Sequence, residues 1–260
     1  MKYYVVADVH GFYDETISAL KEKGFFEDKC PHKLIICGDL FDRGEKAVEM
    51  QNFVLGLLEK DEVVLIKGNH EDLAQEFVKN LHKWMTPLLL STHHYRNGTV
   101  DTLLRLTGMT LTEAYNDPKT FAENCHKTPY FEKIIPSTVN YFETPNYVFV
   151  HGWLPCCEDY QSGKAGEFTY SDDWRQVGDD AWETARWLNG MYAWSQGIAL
   201  PNKTVVCGHW HASYGHSVLE GKGSERGEDA DNTPFFGKGI IALDACTVRS
   251  KFVNCVVIDD

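Results

Sequence analysis

The chain has no apolar run long enough to span a bilayer, and Lys2-Tyr3-Tyr4-Val5-Val6 enters a strand-like run with no basic segment and apolar signal core before it. Both absences predict a soluble, cytoplasmic chain. Cations are scarce: 25 Lys and Arg against 38 Asp and Glu give a formal charge of -13, which argues against stable binding to nucleic acid or to an anionic membrane. The eight cysteines form no CxxC pair, so the spacing of a structural zinc site or redox motif is missing. Cys37, Cys207 and Cys255 lie in or beside apolar runs, and free buried thiols are expected there.

What the sequence does have is polar clusters placed directly after short apolar runs. Leu34-Ile35-Ile36-Cys37 has the uniform apolarity of a strand covered on both faces, and Gly38-Asp39-Leu40-Phe41-Asp42-Arg43-Gly44 follows it. Ligands bind at that end of open α/β sheets. Asp39, first after the strand, suits a hard divalent cation and is placed to bridge two. Arg43 carries a planar fork of donors that fits phosphate oxygens. An ordinary strand-to-helix turn, with Asp42 capping a helix and pairing with Arg43, accounts for the heptad equally well.

The first strand ends at Asp8-Val9-His10-Gly11, where a carboxylate and an imidazole two residues apart leave the sheet on the same side. Both are good ligands for Mn, Fe or Zn. Glu62-Val63-Val64-Leu65-Ile66 runs into Lys67-Gly68-Asn69-His70-Glu71. Asn69 offers a neutral amide oxygen and His70 titrates near neutral pH; the same residues also read as the start of a helix continued by Leu73, Phe77 and Leu81.

Between these clusters the periodicity predicts helices over 13–23 and around Met50, Phe53, Val54, Leu57 and Leu58. Residues 72–146 predict a mainly helical insertion with a helix at 111–124, and His93, His94 and His126 read as surface histidines. Further strands are expected at 146–150 and 203–207, and the last two, 239–244 and 252–258, as an antiparallel pair. The glycine-rich, charged stretch 212–238 predicts a flexible excursion containing His216, which is not expected to be a ligand.

In order and spacing, Asp8-Val9-His10-Gly11, Gly38 to Gly44 and Gly68-Asn69-His70-Glu71 resemble the three opening motifs of the calcineurin-like metallophosphoesterases. Asp42-Arg43-Gly44 and Asn69-His70-Glu71 are similar to the versions in its serine/threonine protein phosphatase branch, as found in bacteria and phage. Asn97-Gly98 with Thr102-Leu103 also resembles a stretch of that branch, without its usual second glycine. The resemblance implies one domain over residues 1–260, an α/β fold in four layers, α/β/β/α, with two mixed β-sheets flanked by helices. It implies two divalent metal ions, Mn first with Fe or Zn as substitutes. Asp8, His10 and Asp39, joined by His211, would hold one; Asp39, Asn69, His151 and His209 would hold the second.

Arg43 and Arg186 would face phosphate, and His70, oriented by Asp42, would protonate the leaving group. Trp153, where the family commonly has a small residue, is expected at the pocket edge, narrowing it or stacking on a substrate ring. Gly208-His209-Trp210-His211 departs from the Gly-His-Thr-Pro of the phosphatase branch. Gly-His-Trp is similar to the symmetric dinucleoside tetraphosphatases, which generally lack the Asp found here at Asp42. The implied function is therefore a serine/threonine protein phosphatase-like phosphomonoesterase, attacking in line through a hydroxide bridging the two metals. The alternative is a symmetric dinucleoside tetraphosphatase or another small-molecule phosphoesterase. The partner is correspondingly a phosphoprotein or a small phosphate ester.

Overall fold

A computed structural model of the chain describes residues 1–158, 168–170 and 174–260. One sheet has the order β12-β1-β2-β3-β4, with β1 (Lys2–Val6), β2 (His32–Cys37), β3 (Val63–Ile66) and β4 (Thr138–Val139) parallel and β12 (Cys255–Asp259) antiparallel to β1. The second has the order β10-β11-β9-β6-β5, with β6 (Tyr147–Phe149), β9 (Thr204–Cys207) and β11 (Ile240–Ala242) parallel. Antiparallel edges, β5 (Phe142–Glu143) and β10 (Phe235–Gly237), close it. β7 (Cys156–Glu158) and β8 (Phe168–Tyr170) pair separately as a hairpin.

Successive residues of a strand point to opposite faces, and the apolar runs use both. Along β1, Val5 and Tyr3 join Ile35, Cys37, Phe149 and Val206 between the two sheets, while Tyr4 and Val6 join the outer core. That outer core packs under α1 (Tyr13–Glu22), α2 (Ala47–Leu58) and α3 (Asn69–Lys79). Val148, Val205 and Cys207 face the other way, into a third core containing Trp153, Trp182 and Met191. The result is helix, sheet, sheet, helix, and it explains why the strands read as uniformly apolar instead of alternating. Cys37, Cys207 and Cys255 are buried and free.

Between α3 and β4 the chain runs through α4 (Leu81–Trp84), α5 (His93–Arg96), α6 (Thr99–Thr107), α7 (Leu111–Asn116) and α8 (Pro118–His126). The single helix expected over 111–124 is two, because Pro118 opens α8 and the Asp117 side chain accepts the Thr120 amide. His94, expected at the surface, is fully buried. On the far side of the second sheet lie α9 (Asp179–Arg186) and α10 (Gly190–Ser195). The Asn189 side chain accepts the Tyr192 amide and starts α10.

The last two strands do not form the expected antiparallel pair. β11 joins β9 in one sheet and β12 joins β1 in the other, with α11 (Thr247–Ser250) between them. β12 covers the edge of β1 that would otherwise present unpaired backbone groups. The crossing carries Asp244 and Cys246 over the strand ends. Among the described residues no helix is long and apolar enough to cross a membrane.

Candidate metal centre

The loops that leave the strand ends are bonded to one another. His10 and Gly11 donate their amides to the carbonyls of Asp39 and Leu40, both at 2.9 Å, and Gly208 donates to the His151 carbonyl at 2.8 Å. Six polar residues of these loops, Asp8, His10, Asp39, Asp42, Arg43 and His209, have φ between 45° and 75°. That left-handed region costs an L-residue about 1–2 kcal/mol, and such strain gathers where side-chain direction matters. Gly208 leaves no choice of residue: a Cβ there would lie 2.0 Å from Asp8 Oδ2.

Asp39 stands at the middle, shared by two groups of donor atoms that lie within 4.8 Å of one another, one with His10 and His70 and one with His151 and the partly exposed His209. In one, His151 Nε2 is 3.3 Å from Asp39 Oδ1 and 2.8 Å from Asn69 Oδ1, and His209 Nδ1 is 3.0 Å from the same amide oxygen. The other nitrogen of His151, Nδ1, faces the Cys37 carbonyl at 2.8 Å, which puts the proton there and the lone pair on Nε2. That lone pair then faces two oxygens. Ligands on one divalent ion, at bonds of roughly 2.0–2.2 Å, sit roughly 2.8–3.6 Å apart, so these residues fit such an ion.

In the second group, His10 Nε2 and His70 Nε2 lie 3.6 and 3.8 Å from Asp39 Oδ2. His10 Nδ1 faces the Phe41 carbonyl at 2.9 Å, again leaving Nε2 as the inward atom. Arg43 spans both rings, with Nη1 2.9 Å from His10 Nε2 and Nη2 3.1 Å from His70 Nε2. Asp8, expected beside His10 and Asp39, accepts the His209 amide at 2.8 Å.

The charges follow this arrangement. Burial lowers His10 well below the ordinary imidazole range, helped by Arg43 and His70, and burial also lowers His151 and brings His209 down to about 3. These three rings are neutral, the form that binds a metal. Burial works to raise Asp39, but the imidazoles of His151, His70, His10 and His209 outweigh it and hold the carboxyl below its usual range. His70 goes the other way. Burial would lower it, yet Asp39 and the bond to Asp42 raise it above its ordinary value. Its Nδ1 is 2.6 Å from Asp42 Oδ2, and Thr99 at the start of α6 donates to the same oxygen at 2.8 Å.

Two carboxylates went unassigned in the sequence. Glu71 accepts the amides of Gly68 (2.7 Å), Leu40 (3.0 Å) and Asp39 (3.1 Å), tying the second and third loops together, and burial with Asp39 pushes it up to about 7. It stands in a quoted motif, but an acid in a first helical turn also reads as a dipole partner. Asp244 is buried beside Asp8, raised to about 6 by burial, and lines the cavity with His10 and Arg43. Only its place after the apolar run Gly239 to Leu243 marked it.

Three other expectations fall elsewhere. His211 lines the cavity with His10, Arg43 and His209, but its ring is turned to Glu225, with Nε2 3.3 Å from Oε1. Arg186 is buried, its Nε 2.6 Å from Asp72 Oδ2 and its Nη1 2.9 Å from Asn140 Oδ1, so two of its donors are held by the protein. Trp153 is not at the pocket edge: it is 1% exposed and donates its indole N–H to the Ile198 carbonyl. The indoles of Trp187 and Trp210 line the cavity of about 300 Å³ over His10, Arg43 and His209 instead.

A bis(5'-nucleosyl)-tetraphosphatase [asymmetrical] of Bacillus velezensis is 36% identical over 85 residues, 30% of this chain and 34% of that protein. A symmetrical bis(5'-nucleosyl)-tetraphosphatase of Buchnera aphidicola is 39% identical over 71 residues, 27% of this chain and 24% of that protein. The chain thus spans about a third or less of the length of these relatives. The cold-active protein-tyrosine phosphatase of a Shewanella species superposes with a TM-score of 0.52 at 17% identity, covering 100% of this chain and 75% of that one, a likeness of fold. The family model of the calcineurin-like phosphoesterases matches residues 1–233, and the chain belongs to that family.

Proposed function

We propose that the protein is a metal-dependent phosphoric ester hydrolase whose substrate is a dinucleoside polyphosphate or a similar small phosphate ester bearing an aromatic ring. The observation that carries this choice is the pair of indoles, Trp187 and Trp210, on the cavity that also holds His10, Arg43 and His209. Trp187 is 49% exposed, although indoles are seldom left so open without use. A base stacked on such a ring contributes roughly 1–3 kcal/mol. The relatives named as tetraphosphatases support the same substrate class.

Asp39, Asn69, His151 and His209 would hold one divalent ion, and Asp39 with His10 and Asp8 the second. Bound ions would lower the pKa of water and draw charge from the phosphoryl oxygens. Arg43 would turn its fork from His10 and His70 to the phosphate, where a bidentate pair fits. His70, kept protonated by Asp42 through Nδ1, would give the Nε2 proton to the leaving oxygen. A ring whose pKa is raised gives up its proton less readily to a metal, which favours the acid role for His70 over a place in the first metal set. Arg186 would position the His151 loop from behind, and His211 would act on the rim through Glu225.

The phosphomonoesterase reading keeps one specific support, the Asp42–His70 pair at 2.6 Å, because protonation of the leaving group matters most for an alkyl ester such as phosphoserine. A panel of dinucleoside tetraphosphate, phosphoserine peptide and p-nitrophenyl phosphate under one manganese concentration separates the two. The expected result is the highest kcat/KM on the dinucleotide, with Trp187→Ala lowering it about 5- to 150-fold, the equivalent of that stacking range, and sparing p-nitrophenyl phosphate. Preference for the phosphopeptide, with no effect of Trp187→Ala on any substrate, would reject the choice.

A further inference from the structure

Outside the centre, a second kind of donor cluster sits where the helices between β3 and β4 begin. Glu76 on α3 and His93 and His94 on α5 bring one ligand atom each to within 4.8 Å of one another. His94 Nε2 is 2.7 Å from Glu76 Oε2, yet neither ring nitrogen of His94 makes an aligned hydrogen bond, although the side chain is fully buried. Buried imidazole nitrogens without such a bond are uncommon and call for a partner. The rings of His93 and His94 are 3.9 Å apart, and Trp84 closes over both at 5.3 and 4.7 Å. Burial lowers the His94 pKa and His93 adds to the effect, against the upward pull of Glu76.

Glu76 already accepts from Trp84 Nε1 and Asn80 Nδ2, but a carboxylate has about four lone-pair directions. Two such bonds orient it as a ligating carboxylate is usually oriented.

From this geometry we propose that Glu76, His93 and His94 form a peripheral zinc site that staples α3 to α5. Two imidazole nitrogens and a carboxylate oxygen suit zinc, with water completing four-coordination. The site lies on the protein surface at His93, which is exposed, so the ion has an entry path. Five residues beyond His94, Thr99 donates to Asp42. The staple therefore fixes the start of the segment that holds Asp42 in place.

The test compares the full chain with His93→Ala and with Glu76→Gln; His94→Ala is avoided because that ring is packed against Phe77. Chelator-stripped protein is dialysed against micromolar zinc chloride, and bound zinc is counted by elemental analysis. Each variant is expected to hold one zinc fewer per chain than the unsubstituted protein. Zinc is also expected to slow hydrogen exchange over residues 76–80 and 93–96 in the parent and not in His93→Ala. Equal zinc counts in all three proteins, or the same protection in His93→Ala, would overturn the proposal. Neither readout depends on the hydrolytic activity or on which substrate the enzyme prefers.

Discussion

His70 and His10 share one guanidinium but shift in opposite directions. His10 sits among burial, Arg43 and His70, all of which lower it, whereas Asp39 and Asp42 raise His70. His70→Asn is therefore expected to keep both central metals while losing about 10²–10⁴-fold in kcat on an alkyl phosphate, and much less on p-nitrophenyl phosphate, whose leaving group needs little help. In the parent, kcat on the alkyl ester is expected to fall as pH rises through the raised pKa of His70, and that alkaline limb is expected to vanish in the variant. Full turnover of His70→Asn on phosphoserine peptide would remove His70 from the acid role. At this scale the sequence was most informative where residue type and strand end coincided, as for Asp39, Asn69 and His209. It gave Glu71 no role although it stands in a quoted motif, since two of its three backbone-amide partners lie on a loop 31 and 32 residues away. It misplaced Trp153 because a strand-end indole does not reveal whether it turns inward to Ile198 or outward as Trp187 does.

The first turn of α6 holds the acid in place. Thr99 and Thr102 bond the Asp42 carboxylate and amide, at 2.8 and 3.0 Å. Gly98, just before them, has φ +90°, and a Cβ there would lie 2.5 Å from the Arg43 nitrogen. Gly98→Ala is expected to lower the melting temperature, about 1–2 kcal/mol from the left-handed backbone alone plus the displacement of Arg43. It is also expected to lower kcat more than it raises KM. A variant with parental kcat and melting temperature would show that the contact is slack. Of the helices between β3 and β4 the sequence placed α3 and one span over 111–124 that is two helices, while α4, α5 and α6 are too short to show an apolar face by periodicity. The pairing of β11 and β12 failed for another reason: two apolar runs separated by a short connection look alike whether they return to one sheet or cross to another.

Taken as a whole, the molecule gathers Asp8, Asp39, Glu71 and Asp244 in one buried region, and their mutual repulsion costs stability unless cations offset it. Glu71 in the folded chain is raised to about 7 from 4.5, and His70 is raised above 6.5. For a raised group the folded state holds its proton longer, so the contribution is present below the unfolded value and lost as pH rises through the folded one. In chelated protein the Glu71 contribution is expected to be lost as pH rises from 4.5 through about 7, opposed near pH 6.5 by the lowered His10, His151 and His209, and Glu71→Gln is expected to remove that loss, read by urea unfolding. Metal-loaded protein is expected to show a smaller or opposite slope, since binding needs deprotonated ligands. The apolar runs without alternation marked strands covered on both faces, cover that β1 and β2 receive from α1, α2 and the second sheet, whereas the four layers were implied by the family resemblance.

The central claim is that one carboxylate, Asp39, serves two metal positions. The direct measurement is divalent metal per chain, by elemental analysis after purification without chelator and with manganese supplied, in the parent and in Asp39→Asn of confirmed secondary structure. Two ions fewer in the variant is the expected result. A loss of one ion, or of none, would contradict a shared carboxylate at the centre.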